Sequence, residues 1–347
     1  MPRLTEGARM PTMVDVARAA GVSHQTVSRV LSNHPNVREA TRQVVLKTIG
    51  DLGYRPNSSA RALATQRTRT LGVVAADTTL FGPASTLAGL TGAARAEGYM
   101  VSTVSGQELN RVSLADALEH LGAWGVEGAV VLTPQREAVA ALVGMRLPFP
   151  VVTVEGGHDL AIPNVSVDQR LGAKLVTRHL LGAGHRTVWH VTGPQDWLES
   201  QARTAGWRAA LEEAGAEVPP PLAGDWSPLS GYRAGQELAG LVGRGAAGGP
   251  GVTAVFAGND QMALGIMRAF REAGIRMPGA VAIAGFDDIP ESEFFAPPLT
   301  TVRQDFTAVG RASIRLLIDR IEGTDTADRH LRIEPHLIVR GSTSQAS

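Results

Sequence analysis

The chain has no cysteine, no long apolar run and no secretory leader pattern. Because Cys is absent from its 347 residues, it can form no disulfide, and a zinc site would depend on histidine and carboxylate ligands. No apolar run approaches the roughly 20 residues that a membrane-spanning helix needs. The N-terminal stretch MPRLTEGARMPT lacks the apolar core of a signal peptide. We therefore expect a cytoplasmic protein without a membrane partner.

Common enzyme signatures are also missing. No GxGxxG follows a predicted strand, and there is no P-loop, HExxH or GxSxG pattern. The glycine cluster at 248–251 precedes a predicted strand and is interpreted as a loop. We therefore predict neither an enzyme nor a bound cofactor or metal ion.

Charge is balanced over the whole chain but divided unevenly along it. The first 70 residues hold eleven Lys and Arg against four Asp and Glu, whereas the remainder holds 22 basic and 29 acidic residues. A small basic head on an acidic body is typical of a nucleic-acid-binding module joined to a domain with another task. The length itself favours two or three domains.

The segment Met13–Leu31, MVDVARAAGVSHQTVSRVL, predicts two short helices around a tight turn. Gly21 ends the first helix, and Ser23 is a good N-cap for the second. The predicted inward positions are Val14, Val16, Ala17 and Ala20 on the first helix and Val27, Val30 and Leu31 on the second. Such a pair is typical of a helix-turn-helix, whose second helix enters the DNA major groove, but also of an ordinary helical hairpin.

The residues that follow favour the DNA-binding interpretation. A third amphipathic helix ends at Gly53, with predicted inward residues Val44, Val45, Thr48, Ile49 and Leu52. The next segment, Asn57–Ala64, predicts a helix of about eight residues, which is marginally stable alone in water. We expect it to form only with DNA and a second copy of the chain.

From Leu71 onward, short apolar runs alternate with amphipathic helices. The predicted strands are 71–76, 99–104, 127–132, 150–155, 187–192, 252–257 and 280–285. Strands that alternate with helices indicate right-handed βαβ units, and the length suits two doubly wound parallel sheets in tandem. The predicted fold class is therefore α/β, with a helix-turn-helix head.

Ligands of open parallel sheets bind beyond the carboxyl ends of the strands. The polar residues predicted at those ends are Asp77, Glu155, Asn259, Asp260, Asp287 and Asp288. Phe81, Trp197 and Trp226 lie in neighbouring loops, and Arg203 lies one turn into a helix. Carboxylates, amides and arginine can bind hydroxyl groups, and an aromatic face can cover a sugar ring. Singly, each has a structural alternative: Asn259 can cap a helix, Asp287 can hold a turn and Trp226 can pack under a loop.

Motifs spread over almost the whole chain resemble the lactose-repressor (LacI/GalR) family of bacterial transcription regulators. They are DVARAAGVSHQTVSRVL, Thr41-Arg42, LGYRPNSSARALA, GDWSPLSGY, NDQMALG, GFDD and PPLTTVRQDF. The resemblance implies a periplasmic-binding-protein-like body of two subdomains with three crossovers, near Asp168, Gln304 and Leu331. The implied domains are a flexible tail 1–11, a helix-turn-helix domain 12–56, a hinge helix and linker 57–70, an N-terminal core subdomain 71–167 plus 305–331, a C-terminal core subdomain 168–304 plus 332–341, and a tail 342–347.

Roles at the DNA follow from the reading helix and from the resemblance. We expect Ser23, Thr26 and Ser28 to contact phosphates, and His24, Gln25 and Arg29 to read base edges. The resemblance makes 57–64 a hinge helix that pairs across a dimer in the minor groove. Its predicted DNA contacts are Asn57, Ala60 and Leu63, and Leu63 is at the position of the family's wedging leucine.

The resemblance also implies an effector site for a sugar. Trp226 matches a sugar-stacking tryptophan, and Arg203, Asn259 and Asp287 match ligands of sugar hydroxyls. Gln304, Phe306 and Phe81 match other pocket residues, and Glu155 stands where the pattern has an aspartate. Leu132 replaces an asparagine, an arginine lacks a counterpart near 106–110, and Trp197 and Glu199 replace small serine-like residues. We therefore expect the effector to be a glycoside, without the galactoside specificity that the family pattern implies.

The predicted function is a homodimeric repressor that a sugar releases from a pseudo-palindromic operator. The C-terminus GSTSQAS shows no leucine heptad, so we expect a dimer and no tetramer. Three alternatives stay open. The ligand could be a corepressor such as a purine, the body could be a periplasmic-type sugar-binding protein, and Glu155 with Asp287 could be a glycosidase pair.

Overall fold

The structure, a computed structural model, describes residues 11–31, 34–54, 67–106, 110–132, 135–155, 162–243, 251–324 and 330–344. The chain divides into two compact units, Met1–Thr68 and Arg69–Ser347. The predicted hinge contacts Asn57, Ala60 and Leu63 lie outside the described residues, as do positions 1–10 of the predicted tail. Within the described residues, no helix combines the length and apolar character needed to cross a membrane.

The first unit contains the predicted helix-turn-helix. Its helices are α1 (Met13–Ala19), α2 (His24–Leu31) and α3 (Glu39–Leu52). Thr12 and Asp15 form a reciprocal capping box at the start of α1. Gly21 takes a φ of +66° in the turn, which only glycine adopts without strain. The Ser23 hydroxyl then accepts a 3.1 Å hydrogen bond from the Thr26 amide and caps α2, as predicted.

A small apolar core holds these three helices together. Its buried members are Val16, Ala17, Val27, Val30, Val45 and Tyr54. Three inward assignments were wrong, because Val14 is 52% exposed, Val44 50% and Leu52 38%. Helix α3 turns a narrow stripe through Val45 and Ile49 to the core, so the flanking apolar positions face outward.

The second unit has twelve strands among the described residues. They are β1 (Thr70–Ala76), β2 (Met100–Gly106), β3 (Gly128–Leu132), β4 (Val151–Val154), β5 (Asn164–Val167), β6 (Trp189–Thr192), β7 (Leu222–Ala223), β8 (Ala254–Ala257), β9 (Ala282–Ala284), β10 (Thr301–Arg303), β11 (His330–Ile333) and β12 (His336–Ile338). Every predicted strand segment overlaps one of them. Five strands were not predicted: β5, β7, β10, β11 and β12. Each has only two to four residues, which is too short for a clear periodicity.

These strands form two parallel sheets and a short antiparallel pair. One sheet has the order β11-β5-β4-β3-β1-β2, and the other has the order β7-β6-β8-β9. Strand β10 pairs with β12 in antiparallel orientation. The predicted doubly wound α/β class is confirmed.

Helices cover both faces of each sheet. In chain order they are α4 (Phe81–Ala96), α5 (Arg111–Ala123), α6 (Arg136–Val143), α7 (Gln169–Gly182), α8 (Leu198–Glu213), α9 (Pro228–Ala239), α10 (Asp260–Glu272) and α11 (Phe306–Ile321). Helices α4 and α11 pack on one face of the six-stranded sheet, and α5 and α6 pack on the other. Helices α7 and α8, and α9 and α10, cover the four-stranded sheet in the same way. Each sheet therefore has a core on both of its faces.

Two predicted boundaries disagree with the strand pairing. The division between 331 and 332 cuts through β11, whose pairing with β5 runs to Ile333 opposite Val167. The predicted tail 342–347 begins too early. Ser342 is fully buried, and its hydroxyl donates to the Ile283 carbonyl at 2.6 Å and accepts from the Thr300 amide at 2.7 Å.

Candidate functional site

A cavity in the second unit brings together every ligand residue predicted from the sequence. It encloses about 670 Å³, counting its open mouth. The predicted residues that line it are Phe81, Glu155, Trp197, Arg203, Trp226, Asn259, Asp287, Gln304 and Phe306. Its lining of aromatic and polar side chains suits a small organic ligand.

Four polar side chains in and behind the cavity wall form a closed ring of hydrogen bonds. The Arg203 Nε donates to Gln169 at 2.9 Å, and the Gln169 amide donates to Gln304 at 2.8 Å. The Gln304 amide donates to the Asp287 carboxylate at 2.7 Å, and Arg203 Nη2 closes the ring at 3.5 Å from the same oxygen. All four residues are buried. The ring fixes the side chains in one orientation before any ligand arrives.

The Arg203 guanidinium is held on its flat faces as well as at its edge. Its centre lies 3.9 Å from the centroid of the Phe286 ring and 5.2 Å from that of Trp226. Nη1 donates to the carbonyl of Gly258. Such stacking suits arginine better than lysine, because the guanidinium is planar and weakly hydrated.

Two tryptophans form an aromatic wall. Trp197 and Trp226 meet edge to face, with ring centroids 5.8 Å apart. The Trp226 ring lies flat over Gly193, where an added Cβ would come within 2.1 Å of the ring. The buried indole N–H of Trp226 has no acceptor among the described residues. A second aromatic pair in the lining is purely apolar. The rings of Phe81 and Phe306 meet edge to face, with centroids 5.9 Å apart, and form an apolar lip.

Asn259 acts as the helix cap that its sequence position allows. Its side-chain oxygen accepts from the Met262 amide at 2.8 Å, and its amide donates to the Trp226 carbonyl at 3.1 Å. It therefore orients Trp226 and also lines the cavity.

Three of the six non-glycine residues with positive φ in the described parts of the chain line the cavity. Glu155, Trp226 and Asp287 all have positive φ, of 59°, 71° and 108°. Residues other than glycine rarely take this conformation, and clusters of such residues are typical of binding sites. The strain therefore supports a binding role for these three residues together.

The cavity wall also holds perturbed carboxyl groups. Burial, and after it the neighbouring Glu199, together raise the pKa of Glu155 to about 8. Burial raises the pKa of Glu199 to about 7 and that of Asp287 to about 6. The amide of Val167 donates to Glu155 at 2.8 Å and holds it in place. At neutral pH this wall therefore retains protons that free carboxylates would have lost.

Three predicted rim residues do not line the cavity. Asp77 accepts a hydrogen bond from Thr79, and Asp260 is buried against Thr301 and the Ile289 amide. Asp288 pairs with Arg340 at 2.7 Å and with Arg303 at 2.6 Å. These three residues hold turns and strand ends. Position along the sequence alone could not distinguish such structural residues from ligand-binding ones.

Contacts next to the cavity residue Trp197 join the six-stranded side of the unit to the four-stranded side. The Arg136 side chain, at the start of α6, donates to Gln201 of α8. The Arg136 amide donates to the Asp196 carbonyl at 3.2 Å, and Gln135 forms a bridge with Trp197. Trp197 thus belongs both to the cavity wall and to this clasp.

In the first unit, α2 presents a polar face. His24, Gln25, Ser28 and Arg29 are exposed, whereas Val27 and Val30 face the core. The Ser23 and Thr26 hydroxyls lie 2.9 Å apart at the start of the helix. This is the arrangement that a helix needs to enter a major groove.

Comparisons with known proteins agree with both units. The family description "Bacterial regulatory proteins, lacI family" matches residues 12–57, and "Periplasmic binding protein-like domain" matches residues 177–343. The HTH-type transcriptional regulator CelR of Thermobifida fusca is 36% identical, over 97% of this chain and 99% of its own. The chain belongs to the LacI family.

Solved structures of LacI-family regulators have the same fold. The Lac repressor dimer bound to operator and the anti-inducer ONPF matches with a TM-score of 0.85 at 29% identity, over 97% of this chain and 100% of that chain. A CelR–cellobiose complex matches with a TM-score of 0.69 at 33% identity, over 96% and 99%. The family's pairing of a helix-turn-helix with a periplasmic-binding-protein-like body is therefore present here.

Two residues of the site were not predicted from the sequence. Gln169 follows the capping Asp168 at the start of α7, and no local pattern distinguishes it from a surface residue. Glu199 was noted only as a departure from the family pattern, although it lines the cavity. Only the three-dimensional arrangement gives both a role.

Proposed function

We propose that this LacI-family protein is a homodimeric transcriptional repressor that a neutral sugar releases from its operator. One observation carries the proposal. The same chain combines an exposed polar recognition helix with a cavity built of an aromatic wall, a buried arginine and a preformed ring of amide and carboxyl groups.

At the DNA, α2 would supply the sequence readout. Ser23, Thr26 and Ser28 would contact phosphates and set the register. Arg29 would read a guanine edge and Gln25 an adenine edge, with His24 as a further base contact. Asn57, Ala60 and Leu63 would bind the minor groove as a hinge helix in the dimer. Two copies on a two-fold axis require half-sites about one helical turn apart.

In the cavity, polar groups would bind the hydroxyls of a sugar, and the tryptophans would cover its C–H face. Arg203 and Asp287 offer a donor and an acceptor side by side, and Asn259 and Gln304 add amide groups. CelR, a relative over almost the whole chain, has been solved with cellobiose. Cellobiose is therefore the first probe among neutral disaccharides.

The switch would operate through the relative positions of the two sheets. Gln304 and Gln169 lie where the chain passes from one sheet to the other, and both belong to the ring that would contact the sugar. A ligand that binds one arrangement of the sheets better shifts the equilibrium toward it. Coupling of about 1–3 kcal/mol between sugar and DNA would change operator occupancy many-fold.

The proposal also covers where the protein acts in the cell and how its copies assemble. A regulator of this kind would act in the cytoplasm, where it reaches the nucleoid. Leu229, Leu264 and Phe294 are exposed apolar side chains of the second unit, and burial against a second copy would remove them from water.

Titration of the full chain with neutral sugars tests the effector half of this proposal. Trp197 and Trp226 lie in the wall, so intrinsic fluorescence reports binding directly. We expect at least one neutral disaccharide to saturate the fluorescence signal. We also expect the protein not to hydrolyse chromogenic glycosides. Hydrolysis would instead favour a glycosidase with Glu155 and Asp287 as its carboxyl pair.

A further inference from the structure

Glu199 is the cavity carboxyl group with the fewest protein partners. It lies in the first turn of α8 and lines the cavity. Within the described ranges, no side chain or amide donates a hydrogen bond to it. By contrast, Glu155 accepts from the Val167 amide, and Asp287 accepts from Gln304 and Arg203. The acceptor capacity of Glu199 is therefore available to a ligand.

Carboxyl groups outnumber basic side chains on the wall around Glu199. Glu155, Glu199 and Asp287 are acidic, and among the described lining residues Arg203 is the one basic side chain. Three of the N–H groups of Arg203 already bind Gln169, Gly258 and Asp287. Arg203 keeps two further N–H groups, but its charge is already paired with Asp287. Among its described residues, the wall therefore offers no second cation to a carboxylate or phosphate of a ligand.

From this arrangement we propose that Glu199 is a specificity residue of the effector site. Its carboxyl group binds hydroxyl groups of a neutral sugar and rejects sugars that carry a carboxylate or phosphate. The inference rests on the proposed function, because it presumes that a sugar occupies this cavity. It adds the residue that selects the ligand: Glu199 favours an uncharged glycoside that presents hydroxyl donors to the wall between Glu155 and Glu199.

Electrostatics at the wall agree with this selectivity. Burial and the mutual repulsion of Glu155 and Glu199 raise the pKa of Glu155 to about 8, and burial raises the pKa of Glu199 to about 7. Asp287 also repels charge on Glu199, and Arg203 opposes it. A wall that already resists its own negative charges resists a further anion still more.

Binding of matched neutral and anionic sugars to the full chain tests the proposal. The probes are cellobiose, lactose and maltose, each compared with carboxylate analogues in which either hydroxymethyl group is oxidised. We expect the unaltered protein to bind its preferred neutral sugar at least about tenfold more tightly than the analogues, which is the scale of one unfavourable charge contact in a partly buried site. Glu199→Gln should remove most of this difference.

Two further variants separate charge from folding. Glu212→Gln removes an exposed carboxylate from the same helix, outside the cavity, and should leave the discrimination unchanged. Glu199→Asp keeps a carboxyl group and should retain the discrimination, whereas a merely structural role would make it resemble Glu199→Gln.

The possible failures are distinguishable. If a neutral sugar binds but Glu199→Gln discriminates as strongly as Glu212→Gln, the inference is wrong and the proposed function stands. If the unaltered protein binds none of the neutral sugars, the proposed function fails, and the inference fails with it.

Discussion

Gln304 donates a 2.7 Å hydrogen bond to the carboxylate of Asp287, and both side chains are buried. Gln304 directly follows β10, and Asp287 lies just beyond β9. Gln169, at the start of α7, extends the contact to the far side of the crossing between sheets. Asp287 is therefore hydrogen-bonded to the segments through which the two halves of the body are connected.

Breaking this ring should cost both stability and effector affinity. Gln169→Ala leaves Arg203 Nε and the Gln304 oxygen without their partners. A buried polar group without a partner costs about 1–3 kcal/mol, which denaturant unfolding would measure. Gln236→Ala is the control, because Gln236 is exposed on α9 and should change stability by less than about 0.5 kcal/mol. Equal effects of the two variants would contradict a structural role for the ring.

Arg29 should govern operator selectivity without affecting the sugar site. Arg29→Ala should cost about 1–3 kcal/mol of binding to the preferred operator and relax the base preference at one position of each half-site. Sugar titration by tryptophan fluorescence should stay unchanged. Arg95→Ala, an exposed charge deletion on α4, provides the control. Normal operator binding by Arg29→Ala would show that α2 is not the reading helix.

The clasp beside Trp197 should contribute to ligand affinity. Arg136 and Gln201 contact each other between the two sides of the body, so we expect both to help hold Trp197 in the cavity wall. We expect Arg136→Ala and Gln201→Ala each to weaken sugar binding severalfold, and the double variant to lose less than the sum, because residues in contact couple by about 0.5–3 kcal/mol. Arg146→Ala, exposed on the same side of the body, should bind normally. If the losses of the two single variants add strictly in the double variant, the contact between Arg136 and Gln201 does not contribute to ligand affinity.

Glu155 should make the stability of the body fall as pH rises. Its folded pKa of about 8 exceeds the ordinary 4.5, so the folded chain holds a proton that the unfolded chain releases. The folded state is therefore favoured most below pH 4.5, and this contribution is lost as pH rises toward 8. Glu155→Gln mimics the protonated group and keeps an acceptor for the Val167 amide. The free energy of unfolding of this variant should exceed that of the unaltered protein at pH 8 and approach it at pH 5. Glu212→Gln should show no such trend, and a parallel trend would contradict the assignment.

Much of this structure is encoded in local patterns. The strand segments of 71–285 and the apolar face of α2 were predicted because burial imposes a period on the sequence. Most cavity residues were predicted because parallel strands end on a common edge, whereas Gln304 and Phe306 were predicted from the family resemblance alone. Family motifs then assigned roles, such as stacking for Trp226.

What the sequence could not supply depends on distant contacts. Gln169 joins the site through Gln304, 135 positions away. Asp260 and Asp288 looked equivalent to Asp287, but the positions of Thr301 and Arg340 commit them to structural bonds. The inward face of α3 was also overestimated, because three small helices bury only a narrow stripe of each.

Selection of DNA from a random pool by the full chain, repeated with and without neutral sugars, tests the central claim most directly. The account predicts enrichment of a two-fold symmetric site, with half-sites about one helical turn apart, and loss of that DNA when cellobiose or another neutral disaccharide is added. Failure to enrich any sequence, or an enriched site that no sugar releases, would contradict it.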